Sequence, residues 1–144
     1  MNKELFVAVC DRLRERVPEL RWIDAEMGQL NVAPRPPVAF PCCLVEMRYV
    51  RCTGRTAGSQ RVAAQFTQRV AFHGCGATSS EAPAPVRDRA LEHLDVLERI
   101  HTALQWWNFG RRINPMQRAS VVPERRSDGL RVYAMVYDTE FEEG

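Results

Sequence analysis

Two runs, Cys42–Cys52 (CCLVEMRYVRC) and Gln60–His73 (QRVAAQFTQRVAFH), are joined by Thr53–Ser59 (TGRTAGS), and together they read as one long β-hairpin. In the second run Val62, Ala64, Phe66, Val70 and Phe72 share one parity, while Arg61, Gln65, Thr67, Arg69 and His73 share the other. That alternation belongs to a strand with one dry face and one wet face. Between Val62 and Phe72, Gln68 is the one polar residue on the apolar parity. In the first run Cys43, Val45, Met47 and Tyr49 fall on one side, and Leu44, Glu46, Arg48 and Val50 on the other. Such a strand is expected to be central and covered on part of both faces. Between the runs, Gly54 and Gly58 supply turn chemistry.

Working outward toward the N-terminus, Ala33–Pro41 carries four prolines in nine residues. Proline lacks the N–H and fixes φ, so this stretch is expected to be an extended surface connector. Before it, Arg21–Glu26 alternates weakly as a short strand, and Met27-Gly28-Gln29 turns the chain into Leu30-Asn31-Val32. At the start, Leu5, Phe6, Val9, Leu13 and Val17 recur at helical spacing. The helix is expected to be capped by the Asn2 side chain and to end near Pro18.

Toward the C-terminus, Gly74-Cys75-Gly76 ends the hairpin and Ala77–Pro85 has loop chemistry. Val86, Ala90, Leu94, Leu97, Ile100, Leu104 and Trp107 then repeat at three and four residues, which predicts one helix from Val86 to Trp107 with Trp107 on its buried stripe. Asn108-Phe109-Gly110 supplies the stop, with Arg111-Arg112 near the negative helix end. Strands follow at Ala119–Val122 and Leu130–Phe141, linked by a turn ending in Asp128-Gly129. The order predicts an α+β fold: an antiparallel or mixed sheet of about four to six strands with a long hairpin and two helices on one face.

At 144 residues the chain suits a single domain over 1–144, large enough to bury a core without disulfides or metal. Hydrophobic residues make up 45% and charged ones 26%, as in ordinary globular proteins. Twenty basic and 18 acidic residues leave a formal charge of +2, too close to balance to announce a nucleic-acid partner. Lys3 is the only lysine, and arginine-rich surfaces suit interfaces and planar ion pairs. No apolar run approaches the roughly 18 residues that span a bilayer, and no signal peptide is evident, so a cytoplasmic protein without membrane contact is expected. The five cysteines, Cys10, Cys42, Cys43, Cys52 and Cys75, lack framework spacing and are expected to be free thiols.

The residues that carry chemistry do not assemble into a recognisable centre. His73 and Cys75 with Cys52 lack paired zinc-knuckle spacing. Nothing in the pattern orients Cys75 and His73 as nucleophile and base. His93 and His101 lie eight apart, without the H-E-x-x-H pattern, and are expected at the surface or its boundary. Gly54 and Gly58 form neither phosphate-binding motif. Arg111, Arg112, Arg118, Arg125 and Arg126 near Trp106, Trp107 and Phe109 form a basic tendency, but acids elsewhere match it, and sequence-specific nucleic-acid binding is not expected. No catalytic residue, cofactor or metal is assigned, and no enzymatic activity is expected.

The layout resembles a known family. An amphipathic helix, a proline-rich lead into Phe40-Pro41-Cys42-Cys43-Leu44-Val45-Glu46, a strand through Gln65-Phe66-Thr67-Gln68-Arg69-Val70-Ala71-Phe72, the helix of Val86–Trp107 and a closing Val132-Tyr133-Ala134-Met135-Val136-Tyr137 are similar to the tail-terminator (tail-completion, minor tail) proteins of long-tailed bacteriophages and prophages. The resemblance covers most of the chain and is one of element order. It implies a non-enzymatic structural protein that forms a hexameric ring, caps the tail tube and meets the head–tail connector protein. Such a protein would be made in the host cytoplasm and end in the virion tail. The hairpin tip, Thr53, Gly54, Arg55, Thr56, Ala57, Gly58 and Ser59, is the expected interface with a neighbouring subunit or the tube. The alternative is a small cytoplasmic α+β domain, expected to be a dimer, that binds a small ligand or a protein.

Overall fold

The computed structural model describes all 144 residues. Five strands, β1 (Trp22–Ala25), β2 (Cys42–Gly54), β3 (Gln60–Phe72), β4 (Gln117–Glu124) and β5 (Arg131–Glu143), form one sheet in the order β1-β2-β3-β5-β4. Pairing is antiparallel except between β1 and β2, so the fold is α+β with a mixed sheet. The hairpin forms as read: β2 and β3 pair from Cys42↔Ala71 to Gly54↔Gln60. β5 then pairs along the whole of β3, from Phe72↔Arg131 to Gln60↔Glu143.

Helix α1 (Asn2–Arg16) buries Leu5, Val9 and Leu13 against the sheet. Its cap differs from the expectation: the helix begins at Asn2, Met1 is the cap, and no side chain bonds there. Leu5 N–H instead reaches Met1 O at 2.9 Å. Proline at position 18 stops it, as its missing N–H requires.

The expected helix of Val86–Trp107 is two helices, α2 (Ala84–Ala90) and α3 (His93–Leu104). Across Leu91 and Glu92 the bonds run three residues back: Leu91 to Asp88, Glu92 to Arg89, Leu94 to Leu91, Asp95 to Glu92. A three-residue turn advances each residue by about 20° more than an α-turn, so the buried face rotates at the junction. Hence Val86 and Leu94, assigned to the buried stripe, are 44% and 40% exposed, while His93, Val96 and Ala103 are buried. α3 also ends three residues early, because Gln105 turns extended with ψ 129°, and Trp106 after it takes a left-handed φ of 66°. Trp107 is therefore half-buried beside the core rather than in it. Neither Arg111 nor Arg112 meets the helix end; Arg12 of α1 donates to Ala103 O in the last turn of α3, and Arg112 pairs with Glu4.

The sheet is covered unequally. On the helix side 22 buried residues form the main core, including Cys43, Val45, Phe66, Val70, Met135, Tyr137 and Phe141. Six more, Leu30, Cys42, Leu44, Ala71, Leu130 and Val132, form a small core on the far face. The connector between β1 and β2 covers this second core with Val38 and Phe40, so the proline-rich stretch runs over the surface and also serves as a lid. It contains a 3-10 turn at Gln29–Asn31. Beside the lid, Arg69 bonds both carboxylate oxygens of Glu124 at 2.7 Å and pairs with Glu26. Arg126 bonds Asp128 and Leu30 O, which ties the β4–β5 turn to the lid.

Candidate assembly surfaces

Away from the base of the sheet, β2, β3 and β5 continue together as a three-stranded arm. The four residues of β1 pair only with Cys42–Val45, so the outer edge of β2 from Glu46 to Gly54 has no neighbouring strand. Unpaired backbone on such an edge can accept a strand from another chain. Val50 is the extra residue of a bulge between Tyr49 and Arg51, and it is 55% exposed.

The tip residues behave as one ordered turn. Thr53, Gly54, Arg55, Thr56, Ala57 and Gly58 are exposed and Ser59 is half-buried. Arg55 N–H donates to Ser59 O at 2.8 Å and Ser59 Oγ to Thr56 O at 2.9 Å. Ala57 and Gly58 both have positive φ, 60° and 77°. The arm is tied together directly beneath the tip, where Gly54 pairs with Gln60 and Gln60 with Glu143. Tyr49 Oη donates to Glu143 Oε2 at 2.9 Å, and Gln60 Nε2 donates to Glu143 Oε1 at 3.1 Å. Burial and the Glu143 carboxylate push the Tyr49 phenol up to about 12, so it stays a donor.

The far face of the arm is wet and charged. Arg61 meets Glu140 at 3.3 Å, Gln65 meets Asp138 at 3.2 Å and Arg55 meets Glu142 at 3.5 Å. A groove of about 540 Å³ crosses this face, with Arg51, Gln65, Gln117, Asp138 and Glu140 among its walls. β4 makes the opposite edge of the sheet. It is longer than Ala119–Val122 and includes Pro123, which an edge strand tolerates because its outer side has no ladder bond to lose.

Beside the start of β4 lies the loop from Gln105 to Met116. Trp106 N–H donates to Met116 O at 2.8 Å and Met116 N–H to Trp107 O at 2.9 Å, while buried Ile113 and Met116 anchor the loop. Trp106, Phe109 and Arg111 all have left-handed φ without being glycine. Each such residue costs on the order of 1–2 kcal/mol, so the surrounding bonds hold a conformation that the chain does not prefer. The result is Trp106 at 63% exposure. The sequence set Trp106 beside the arginines of the basic tendency but gave no sign of its projection, because left-handed tryptophan has no compositional signal.

The candidate chemical residues are dispersed. Cys52 pairs with Val62, eleven residues or about 36 Å along the chain from His73 at about 3.3 Å per residue. His73 is exposed and stacks on Phe40, and Cys75 is half-buried against the core. The five cysteines are unpaired. Burial pushes the Cys10 and Cys42 thiols up to about 11 and the Cys43 thiol up as well, which disfavours the nucleophilic thiolate. His93, expected near the surface, is buried at 6% exposure because the rotated face of α3 turns it toward Phe72 and Tyr133. The arginines assigned to a basic tendency do not form one patch: Arg112 pairs with Glu4, and Arg126 with Asp128 on the lid side.

No family model and no characterised protein matches the sequence. Among solved structures, a chain of the virion of a native gene transfer agent particle is similar to this one, with a TM-score of 0.60 at 14% identity, covering 96% of this chain and 95% of that chain. At that identity the likeness is one of fold.

Proposed function

We propose that this chain is a non-enzymatic structural protein of a phage-like particle: a tail terminator whose copies form a hexameric ring that caps the tail tube and meets the head–tail connector. The observation that carries this reading is the end-to-end likeness to a chain of a gene transfer agent virion, with neither chain leaving a sizeable part unmatched. The arm adds a physical reason. A cyclic ring needs contacts between two different patches, and the sheet has unlike open edges at β2 and β4. The tip Thr53–Ser59 lies at the far end of the arm and touches the neighbouring subunit or the tube. The virion tail is then its final location.

Light scattering on the purified chain, with negative-stain imaging, tests the ring. Six copies of 16.5 kDa give about 99 kDa. A ring of that mass which binds the ends of tail tubes is the expected result. A stable dimer with no affinity for tubes would overturn it in favour of a small binding domain.

A further inference from the structure

At the base of the sheet, the opposite end from the tip, three segments enclose a hollow of about 560 Å³: the connector between β1 and β2, His73 after β3, and the β4–β5 turn. Its floor belongs to the small far-face core. Leu30 and Leu130 are buried there at 2% and 8% exposure, with Val38 and Phe40 packed against them. His73 stacks on Phe40 with ring centroids 5.7 Å apart and planes inclined by 31°, so one wall is aromatic.

The polar groups around this floor are few, and they are not equally satisfied. The Arg126 side chain is 13% exposed, and its Nε and Nη2 donate to Asp128 and to Leu30 O at 2.6–3.2 Å. Its Nη1 makes no hydrogen bond and lies 4.0 Å from Glu124 Oε1. The Asp128 carboxylate is neutralised by Arg126 and also accepts from Leu130 N–H at 3.2 Å. Of the arginines and carboxylates lining the hollow, Arg35 alone has no ion-pair partner, and it is exposed. The hollow therefore joins an apolar floor and an aromatic wall to cationic donors that lack an acceptor.

We propose that this hollow binds a small aromatic carboxylate, its ring against Phe40 and His73 over Leu30 and Leu130, and its carboxylate accepting from Arg35 and from Arg126 Nη1. Small-molecule sites occupy roughly 300–1,000 Å³ and are mainly apolar with a few placed polar groups, which is the make-up seen here. A carboxylate is the acceptor that matches the planar fork of guanidinium donors. A cation would meet two arginines of its own sign, and a neutral ring would leave both donors without an acceptor. The walls also stand before a ligand arrives. Pro34 and Pro36 restrict the connector backbone, and the bond from Arg126 to Leu30 O ties it to the β4–β5 turn, so little ordering is needed on binding.

The site makes no use of the tip, so it stands or falls separately from the ring reading. Isothermal titration calorimetry of the full chain with naphthoate tests it, with circular dichroism to confirm that each variant is folded. Saturation at one naphthoate per chain is expected. Naphthylmethanol, the neutral analogue, and naphthoate on Arg35→Gln should each bind about 10-fold more weakly, the size of one charge-assisted hydrogen bond at an open rim. His73→Ala, which removes half of the aromatic wall, should weaken naphthoate about 3-fold. Trp106→Ala, at an exposed indole outside the hollow, should bind as the wild-type chain does. Absence of saturable heat overturns the site. So does equal affinity for naphthylmethanol, an Arg35→Gln chain that binds as tightly as wild type, or a loss of binding in Trp106→Ala, which would put the ligand on a different surface.

Discussion

The imidazole of His93 stacks on the phenol ring of Tyr133, with centroids 5.6 Å apart and Nε2 3.0 Å from the hydroxyl. Its Nδ1 is 2.8 Å from Ala90 O. A carbonyl only accepts, so Nδ1 carries the proton and Nε2 accepts from Tyr133. Eight residues further along α3, His101 Nδ1 stands 2.9 Å from Tyr137 Oη. Eight residues of helix rise about 12 Å and four residues of strand about 13 Å, so α3 and β5 run in step.

That pairing makes stability depend on pH. Burial, with Arg131 nearby, lowers the His93 pKa against an opposing bond to Ala90 O; burial, with Arg118 nearby, lowers that of His101. The unfolded chain therefore binds more protons than the folded one in mildly acidic solution. The contribution is fully present above the ordinary histidine value of about 6.5 and is lost as pH falls through the lowered folded values. Urea unfolding at pH 7.5 and 5.5 should show a larger loss for the wild-type chain than for His93→Gln. Equal losses would sink the assignment.

Gln68 gives a second test. It is fully buried between Val45 and Met135 on the neighbouring strands, and neither its amide nitrogen nor its amide oxygen has a hydrogen-bond partner. An unsatisfied buried polar group costs about 1–3 kcal/mol. Gln68→Met keeps the shape and removes the cost, so the urea midpoint should rise by a corresponding amount with the slope unchanged. A lower midpoint would show that the amide is satisfied in solution.

Arg69 should behave in the opposite way. Its side chain is 18% exposed and stands between Glu26 at 12% and Glu124 at 29%. The Glu124 carboxyl is held below its ordinary value chiefly by its hydrogen bonds with Arg69. Arg69→Met leaves two carboxylates facing each other with Arg126 as the remaining cation, 4.0 Å from Glu124. A fully buried broken pair costs about 3–5 kcal/mol; partial exposure here brings the expected loss to about 2–3 kcal/mol. Adding Glu26→Gln and Glu124→Gln should recover part of it, and a triple variant no more stable than Arg69→Met would refute the pairing as the cause.

These residues also show what could be read in advance. The β2–β3 hairpin was legible because one face of β3 is dry, and parity alone exposed both its core set and Gln68 as the exception. β1 left only a weak trace, since four residues paired in parallel to β2 owe their conformation to that neighbour rather than to their own pattern. The break at Leu91–Glu92 was invisible because both residues suit a helix and only the bond spacing changes. The surfaces divide in the same way. The tip carried its signal in Gly54 and Gly58, whereas the outward projection of Trp106 comes from left-handed backbone in the loop that starts at Gln105, which leaves no compositional trace.

The tip separates folding from assembly. Its exposed side chains add nothing to either core, and its one ion pair, Arg55 with Glu142, is 55% and 52% exposed. An exposed pair contributes about 0–1 kcal/mol, so Arg55→Glu should leave thermal unfolding nearly unchanged. Deleting Gly54–Gly58 should shorten the arm with the core intact, because the contacts of Tyr49, Gln60 and Glu143, which lie directly beneath the tip, are outside the deleted segment. If the tip reaches a neighbouring subunit or the tube, the deletion abolishes rings or tube capping in negative-stain images while circular dichroism remains that of the folded chain. A shortened protein that still forms rings and still caps tubes would remove the tip from the interface. Loss of the folded spectrum would instead mean that the turn closed by Arg55 and Ser59 is needed to bring β2 and β3 together, and Arg55→Glu, which keeps that turn, would then decide whether its surface takes part in assembly.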